Sequence, residues 1–392
     1  MIYHDLILHS EQWHRLVESF NQERLAHAHL FYGPAGSGKE GHAIELAALV
    51  NCLEPGREGA CGRCSSCRKV QGLQHPNIQL VTPLPRRVRL TKNDPPLKAL
   101  KPADLDDLAD QLASKAQDPY FTIRLTGAQS ILINSVRELR RTVYLKPGER
   151  GWRAILIFEA EKLCTGEGAA ANALLKLLEE PPSWTVFVLV TDRPHLLLPT
   201  IRSRCLALYF PALTVDQTAG YLVEQHGLDK ERARILAQVT GGNLPQARQL
   251  QENGEQPLQD LDELVGSLLA AKPARWQQVM NDLALLHRNR SLEFTYRLQL
   301  LQTWLRDLMV LQKTGDEGRM VFGRRMADLR RCLDTWPEAD WAAATAAIEP
   351  TLNNLERNIN PTLTLTNMIL EVREALSPRD AWSTFGDQAS AT

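Results

Sequence analysis

Three groups of residues have the types and spacing that chemistry demands. The first is Gly33-Pro34-Ala35-Gly36-Ser37-Gly38-Lys39-Glu40, set between a short apolar run, His29 to Tyr32, and a helical run, Ala43 to Val50. Glycines in the pattern G-x-x-x-x-G-K let backbone N–H groups approach a phosphate closely, and the helix that follows adds a partial positive charge. Gly33, Gly36, Gly38 and Lys39 are therefore candidate ligands for ATP or ADP, with Lys39 reaching the outer phosphates. The next position departs from the pattern. Glu40 stands where Ser or Thr would hold Mg²⁺, and its carboxylate beside a polyphosphate is repulsive. The expectation is a retained cradle with little or no hydrolysis; the plainer alternative is an ordinary strand–turn–helix.

The second group is Cys52, Cys61, Cys64 and Cys67, four of the seven cysteines within sixteen residues. Thiolates at such intervals can converge on one Zn²⁺, with Gly56, Gly59 and Gly62 supplying the turns between them. Four sulfurs fill a tetrahedral coordination sphere and leave no open position for water, so the site reads as structural. Four unrelated free thiols are the alternative, and His75 is a further candidate ligand or a plain loop residue. The third group ends the run Arg153-Ala154-Ile155-Leu156-Ile157-Phe158-Glu159-Ala160-Glu161-Lys162. A central parallel strand delivers carboxylates at such a place, an Asp for Mg²⁺ and then an acid to polarise water. Phe158 occupies the first position and Glu159 the second, so the metal-holding Asp is missing here too. Glu159 alone is equally well a rim residue.

The elements that must position these groups follow from the pattern. His4 to Phe20 suggests a first helix. Strands are expected at His29–Tyr32, Asn77–Thr82, Ala154–Phe158, Thr185–Thr191 and Leu206–Phe210, with helices between them, which predicts a three-layer α/β domain with a mainly parallel sheet over 1–210. Residues 83–126 interrupt it as an insertion with helical character over Asp104–Gln117, expected to be mobile at least in part. Its Arg86, Arg87, Arg89 and Lys92 are either a nucleic-acid contact or a solvated charge run. After Pro211 strand signals vanish. Residues 211–255 predict a small helical lid (Val215–His226, Lys230–Val239, Pro245–Glu252). Residues 256–376 predict an all-α bundle, with helices at Leu261–Leu269, Ala274–His287, Leu292–Lys313, Met326–Trp336 and Leu363–Leu376. Residues 377–392 read as a frayed tail.

Bulk properties narrow the setting. The 392 residues suffice for two or three domains with proper cores. A net charge of −1 gives no global drive toward nucleic acid, so any such contact needs a local patch. No run of eighteen apolar residues exists, the N-terminus lacks the pattern of a secretory signal, and the clustered cysteines suit metal in a reducing compartment; no membrane contact and a cytoplasmic location are expected.

In order, the phosphate loop, the four-cysteine insert after its helix, Ala169-Ala170-Ala171-Asn172-Ala173-Leu174-Leu175-Lys176-Leu177-Leu178-Glu179-Glu180-Pro181-Pro182 and Leu198-Pro199-Thr200-Ile201-Arg202-Ser203-Arg204-Cys205 closely resemble bacterial clamp-loader subunits, the AAA+ proteins of the DNA polymerase III holoenzyme. The resemblance is specific over residues 1 to about 250. Within that family, Glu40 and Phe158 resemble the delta-prime branch rather than the hydrolysing gamma/tau branch. The resemblance implies an AAA+ P-loop core with a parallel sheet, a small helical lid and a C-terminal all-α collar. It implies a hetero-pentamer with gamma/tau and delta subunits, which opens a sliding clamp and places it on primer-template DNA. It matches Cys52, Cys61, Cys64 and Cys67 to a zinc module, Thr191 to the sensor-1 position and Arg204 to an arginine finger reaching a neighbouring gamma subunit's ATP site. The plainer alternative for Arg204 is a helix-end salt bridge. Pro245 falls where the family's lid usually carries a sensor arginine, with Arg248 three residues on. Two rival functions remain, an active gamma/tau-like ATPase and a free-standing zinc-dependent nucleic-acid binder.

Overall fold

In the computed structural model the described residues are all but 146–147, 167, 253–255, 269–272, 290, 318–319, 357–359 and 377–392, so the expected tail lies outside them. The chain divides into two compact units, Met1–Leu213 with Asn243–Pro245, and Thr214–Gly242 with Gln246–Thr392.

The first unit is built on five strands, β1 (Ala28–Tyr32), β2 (Ile78–Val81), β3 (Arg153–Ile157), β4 (Thr185–Thr191) and β5 (Leu206–Tyr209), all parallel and ordered β2-β3-β4-β1-β5. β3 and β4 are buried at every residue. Continuous apolar runs are what a parallel sheet covered on both faces requires, because neither side of the strand meets water. On one face Leu30, Ile155, Ile157, Phe187 and Leu189 pack with Val136 and Leu139 of α5 (Ile133–Thr142) and with Leu174 and Leu178 of α6 (Ala169–Glu179). Each such burial contributes about 1.5–3 kcal/mol. The alternate residues of β1 face the other way, where Phe31 meets Phe210 at 4.8 Å and Phe210 meets His42 at 5.0 Å between ring centroids. His42 belongs to α2 (Lys39–Asn51), which is buried at every residue but Glu40.

The register brings the carboxyl ends of three strands into line: Tyr32 faces Thr191, and Ile157 faces Leu189. The phosphate loop, the end of β3 and the end of β4 thus meet at one edge, where open parallel sheets bind ligands.

Two local expectations change. The first helix, α1, covers only Ser10–Asn21. Residues 4–9 have no regular structure, and ahead of them the backbone N–H groups of Ile2 and Tyr3 both donate to Glu45 Oε1, at 2.9 and 2.7 Å. The 83–126 insertion is packed: Leu84, Ala99, Leu100 and Leu125 form a small core with Leu132, and α4 (Pro102–Gln117) follows. Between these elements lie α3 (Ser65–Gln71), which is capped by Cys64 and carries Cys67, and α7 (Pro199–Arg202), a single turn after β4.

Among its described residues the second unit holds helices and no strand. It holds α8 (Val215–His226), α9 (Lys230–Val239), most of α10 (Leu244–Glu252), α11 (Gln256–Leu268), α12 (Pro273–Asn289), α13 (Ser291–Thr314), α14 (Met326–Thr335), α15 (Trp341–Ala346), α16 (Ile348–Glu356) and α17 (Pro361–Leu376). The helices expected as a lid and those expected as a collar fall in this one unit, where α9 packs on α13. Leu298, Leu301, Trp304, Leu305 and Leu308 of α13 are core residues. Asp307, between them, is kept by accepting the N–H groups of Val321 and Phe322 at 2.8 and 2.9 Å.

Candidate functional site

The phosphate loop runs from the end of β1 into the first turn of α2. Gly33 has φ +150°, and a Cβ there would lie 1.9 Å from the carbonyl oxygen of Phe210, so only glycine lets the loop leave the sheet beside β5. Gly38, the residue before α2, is left-handed at φ +80°, a conformation glycine adopts without the penalty of a side chain. Lys39 is 4% exposed and folds back on its own loop. Its Nζ donates to the carbonyls of Gly33 (3.0 Å) and Pro34 (2.6 Å) and to Ser37 Oγ (3.3 Å), and pairs with Asp192 Oδ1 at 2.6 Å. The loop thus joins β1 to α2 where the spacing predicts, and its lysine is held by a carboxylate just past the end of β4.

The repulsion expected of Glu40 is answered inside the molecule. Glu40 Oε2 pairs with Lys115 Nζ at 2.6 Å, and Lys115, near the end of α4, is fully buried. The same ammonium donates to the carbonyls of Pro119 (2.9 Å) and Phe121 (2.6 Å), and lies 5.6 Å from the centroid of the Phe158 ring. Glu40 and Phe158 are the two positions that depart from a metal-using loop, and one lysine from the insertion stands between them. Oxygen ligands for Mg²⁺ do not fit this corner: an aromatic ring replaces one, and the other is committed to an ammonium.

The remaining acids of β3's end are also committed. Glu159, left-handed at φ +49°, pairs with Lys162 at 2.7 Å. Glu161 accepts from Thr191 Oγ1 at 2.5 Å, and burial pushes its carboxyl above the ordinary value. Thr191 also accepts the N–H of Arg193 at 3.0 Å. Arg204, just beyond α7, pairs with Glu179 at the end of α6 at 2.7 Å, and donates to the Thr200 carbonyl at 2.8 Å. Both partners of the Arg204–Glu179 pair are at least a third exposed, at 34% and 46%.

The four cysteines come together. Their sulfurs all lie within 4.8 Å of one another, with Cys61 to Cys67 at 3.9 Å and Cys67 to Cys52 at 3.6 Å. A tetrahedron with Zn–S bonds of about 2.3 Å has edges of roughly 3.8 Å, so this set could hold such an ion with little movement. Backbone N–H groups point at the sulfurs: Cys61 to Cys52 (3.2 Å), Cys64 to Cys61 (3.4 Å) and Cys67 to Cys64 (3.4 Å). The N–H of Arg63 leads in pulling the Cys61 thiol down to about 6, whereas burial pushes Cys52 and Cys67 up. His75 is not part of the group. Its Nε2 lies 3.0 Å from Ser66 Oγ and its Nδ1 accepts the N–H of Asn77.

The family model described as DNA polymerase III, delta subunit, matches residues 8–214, more than half of the chain. This chain belongs to the delta-prime family of DNA polymerase III clamp-loader subunits. The DNA polymerase III subunit delta′ of Bacillus subtilis is 31% identical over 240 residues, covering 61% of this chain and 58% of that protein. The subunit delta′ of Pseudomonas aeruginosa is 28% identical over 359 residues, covering 88% and 89%. A gamma/tau subunit of Mycobacterium bovis is 30% identical over 208 residues, 52% of this chain and 28% of that protein.

Within this clamp-loader family the AAA+ arrangement expected from the motifs is the one observed, a parallel sheet with the phosphate loop after β1, which lies between β4 and β5. Three pairings of the site are not legible in the sequence. Lys115 lies 75 positions from Glu40 in the helix expected over Asp104–Gln117, and no local pattern links the two. Asp192 and Glu161 are visible as polar residues at strand ends, but their partners, Lys39 and Thr191, are decided by strand order. No helix among the described residues is long and apolar enough to cross a membrane.

Proposed function

We propose that this chain acts as a delta-prime-type subunit of a DNA polymerase III clamp loader, with a phosphate loop of its own that does not hydrolyse ATP. In this reading it joins gamma/tau and delta subunits in a hetero-pentamer that opens the sliding clamp and places it on primer-template DNA. Cys52, Cys61, Cys64 and Cys67 hold a structural Zn²⁺. The observation that carries the reading is the replacement of both metal-supporting positions, Glu40 and Phe158, in a chain of this family.

Arg204 is the residue that would act outside the chain. Its guanidinium would stabilise charge developing on the phosphoryl group in the neighbouring gamma subunit, a contribution of about 10³–10⁵ in rate for such fingers. The ion pair with Glu179 does not oppose this, because exposed pairs are worth at most about 1 kcal/mol and are readily exchanged for a better partner.

Reconstitution with gamma and delta subunits tests the proposal. Arg204→Ala should leave assembly intact and lower the DNA-stimulated ATPase of the complex by about tenfold or more. An unchanged rate in an intact complex removes Arg204 from that role. The isolated chain with ATP, Mg²⁺ and primed DNA should show negligible turnover. Robust turnover abolished by Lys39→Ala would establish the gamma/tau-like alternative instead.

A further inference from the structure

The corner of the phosphate loop where a divalent cation belongs contains a cation that the chain carries itself. We propose that Lys115 takes the metal's place at this loop, so that the cradle from Gly33 to Lys39 accepts a nucleoside di- or triphosphate without Mg²⁺. The inference rests on the reading of a loop that binds without hydrolysing, and it adds a cation to that reading.

Position 40 opens α2 and position 158 closes β3; in a hydrolysing loop they offer a hydroxyl and a carboxylate to the metal. Here Lys115 Nζ bonds the side chain at 40 and lies over the ring at 158. Its three N–H groups are used by Glu40, Pro119 and Phe121, so the ammonium is fixed rather than merely nearby. The α4 segment is fastened to the core by further contacts. Tyr3 Oη donates to the Lys115 carbonyl at 2.9 Å, and the N–H of Ile7 donates to Tyr120 Oη at 2.9 Å.

Two consequences follow for a polyphosphate. The Glu40–Lys115 pair is neutral, so the carboxylate no longer repels phosphate at the loop. A divalent ion could reach Glu40 only by expelling a fully buried ammonium, which would then lose its partner in a poorly solvated place. Binding falls instead to the loop's N–H groups and to Lys39, which must trade Asp192 for phosphate. Asp192 is 44% exposed and returns to water easily.

Calorimetric titration of the full chain with ADP and with ATP, in excess EDTA and then in excess Mg²⁺, decides the matter. The expected result is binding in EDTA with a Kd within about threefold of that in Mg²⁺. Binding that needs Mg²⁺, or no binding under either condition, overturns the proposal. Lys115→Met should weaken binding in EDTA by about tenfold or more, because Glu40 is left uncompensated. Should that variant fail to fold, the double variant Glu40→Gln/Lys115→Met removes both charges and should bind near the wild-type level. Wild-type affinity in a folded Lys115→Met, or lost affinity in the double variant, counts against the assignment. ATP turnover by the isolated chain would sink the functional reading as well, whereas metal-dependent binding without turnover sinks only this inference.

Discussion

A single glycine shows how much the site depends on close approach. Gly33 is the first residue of the phosphate motif, but its need for glycine is set by the carbonyl of Phe210 just after β5. Gly33→Ala must either push β5 away or distort the loop, and positive-φ strain adds to the collision. The expected loss is about 2–4 kcal/mol, read as a lowered thermal midpoint with nucleotide absent. A midpoint equal to wild type would mean that β5 yields at no cost. The motif was legible in the sequence; this second reason for its first glycine was not, since Phe210 is remote along the chain.

The cysteine loop is an element whose order should depend on its ion. It is anchored to the N-terminal arm and α1: Trp13 Nε1 donates to the Glu58 carbonyl at 2.8 Å, and the Met1 amino group donates to the Ala60 carbonyl at 2.6 Å. The purified chain should carry about one equivalent of zinc, the number four thiolates close around. Cys64→Ser or a strong chelator should remove it and change the Trp13 environment, read as metal content and tryptophan emission. A metal-free protein with unchanged emission and stability would argue that the four thiols merely pack together. The spacing of these cysteines was readable directly, because tight turns bring sulfurs together with little help from the rest of the fold. The insertion behaved oppositely. Its basic run gave no hint that Arg87 would pair with Asp104 at 3.1 Å, nor that α4 would deliver Lys115 to the loop.

Across the whole molecule, buried histidines couple folding to pH. Burial lowers His29 to about 4 and His42 to about 3, from an ordinary value near 6.5. Below pH 6.5 the unfolded chain takes up protons that the folded chain refuses, so the stability these groups allow is complete above 6.5 and is lost as pH falls toward 4 and 3. By pH 5 each costs up to about 2 kcal/mol. Carboxyls raised by burial, such as Glu45 and Glu161, act in the opposite sense as they take up protons in the folded state. The His29→Leu variant isolates one contribution. It should narrow the gap between urea stability at pH 7 and at pH 5 by up to about 2 kcal/mol. An unchanged gap would mean that His29 titrates alike in both states.

Alternation, apolar runs and caps placed most elements without help from the fold. Thr214, which accepts the N–H of Gln217 at 3.1 Å, and Asp229, which accepts those of Glu231 and Arg232, begin α8 and α9 where the sequence expects them. The strands were readable because a parallel sheet with covered faces leaves continuous apolar runs. Local signals failed where a distant group decided. Residues 4–9, expected in the first helix, precede it instead, and there the N–H of Ile7 is taken by Tyr120 Oη and that of His9 by His42 Nε2. The short helices α15 and α16 were missed, although Asp340 caps the first by accepting from Ala342 and Ala343. The sequence alone determined that Glu40 and Phe158 stand where the phosphate-loop pattern expects a hydroxyl and an Asp, because both positions belong to local motifs. Only the tertiary structure decided what lies beside those two side chains, because Lys115, 75 residues from Glu40, reaches them through the packing of α4 on the core.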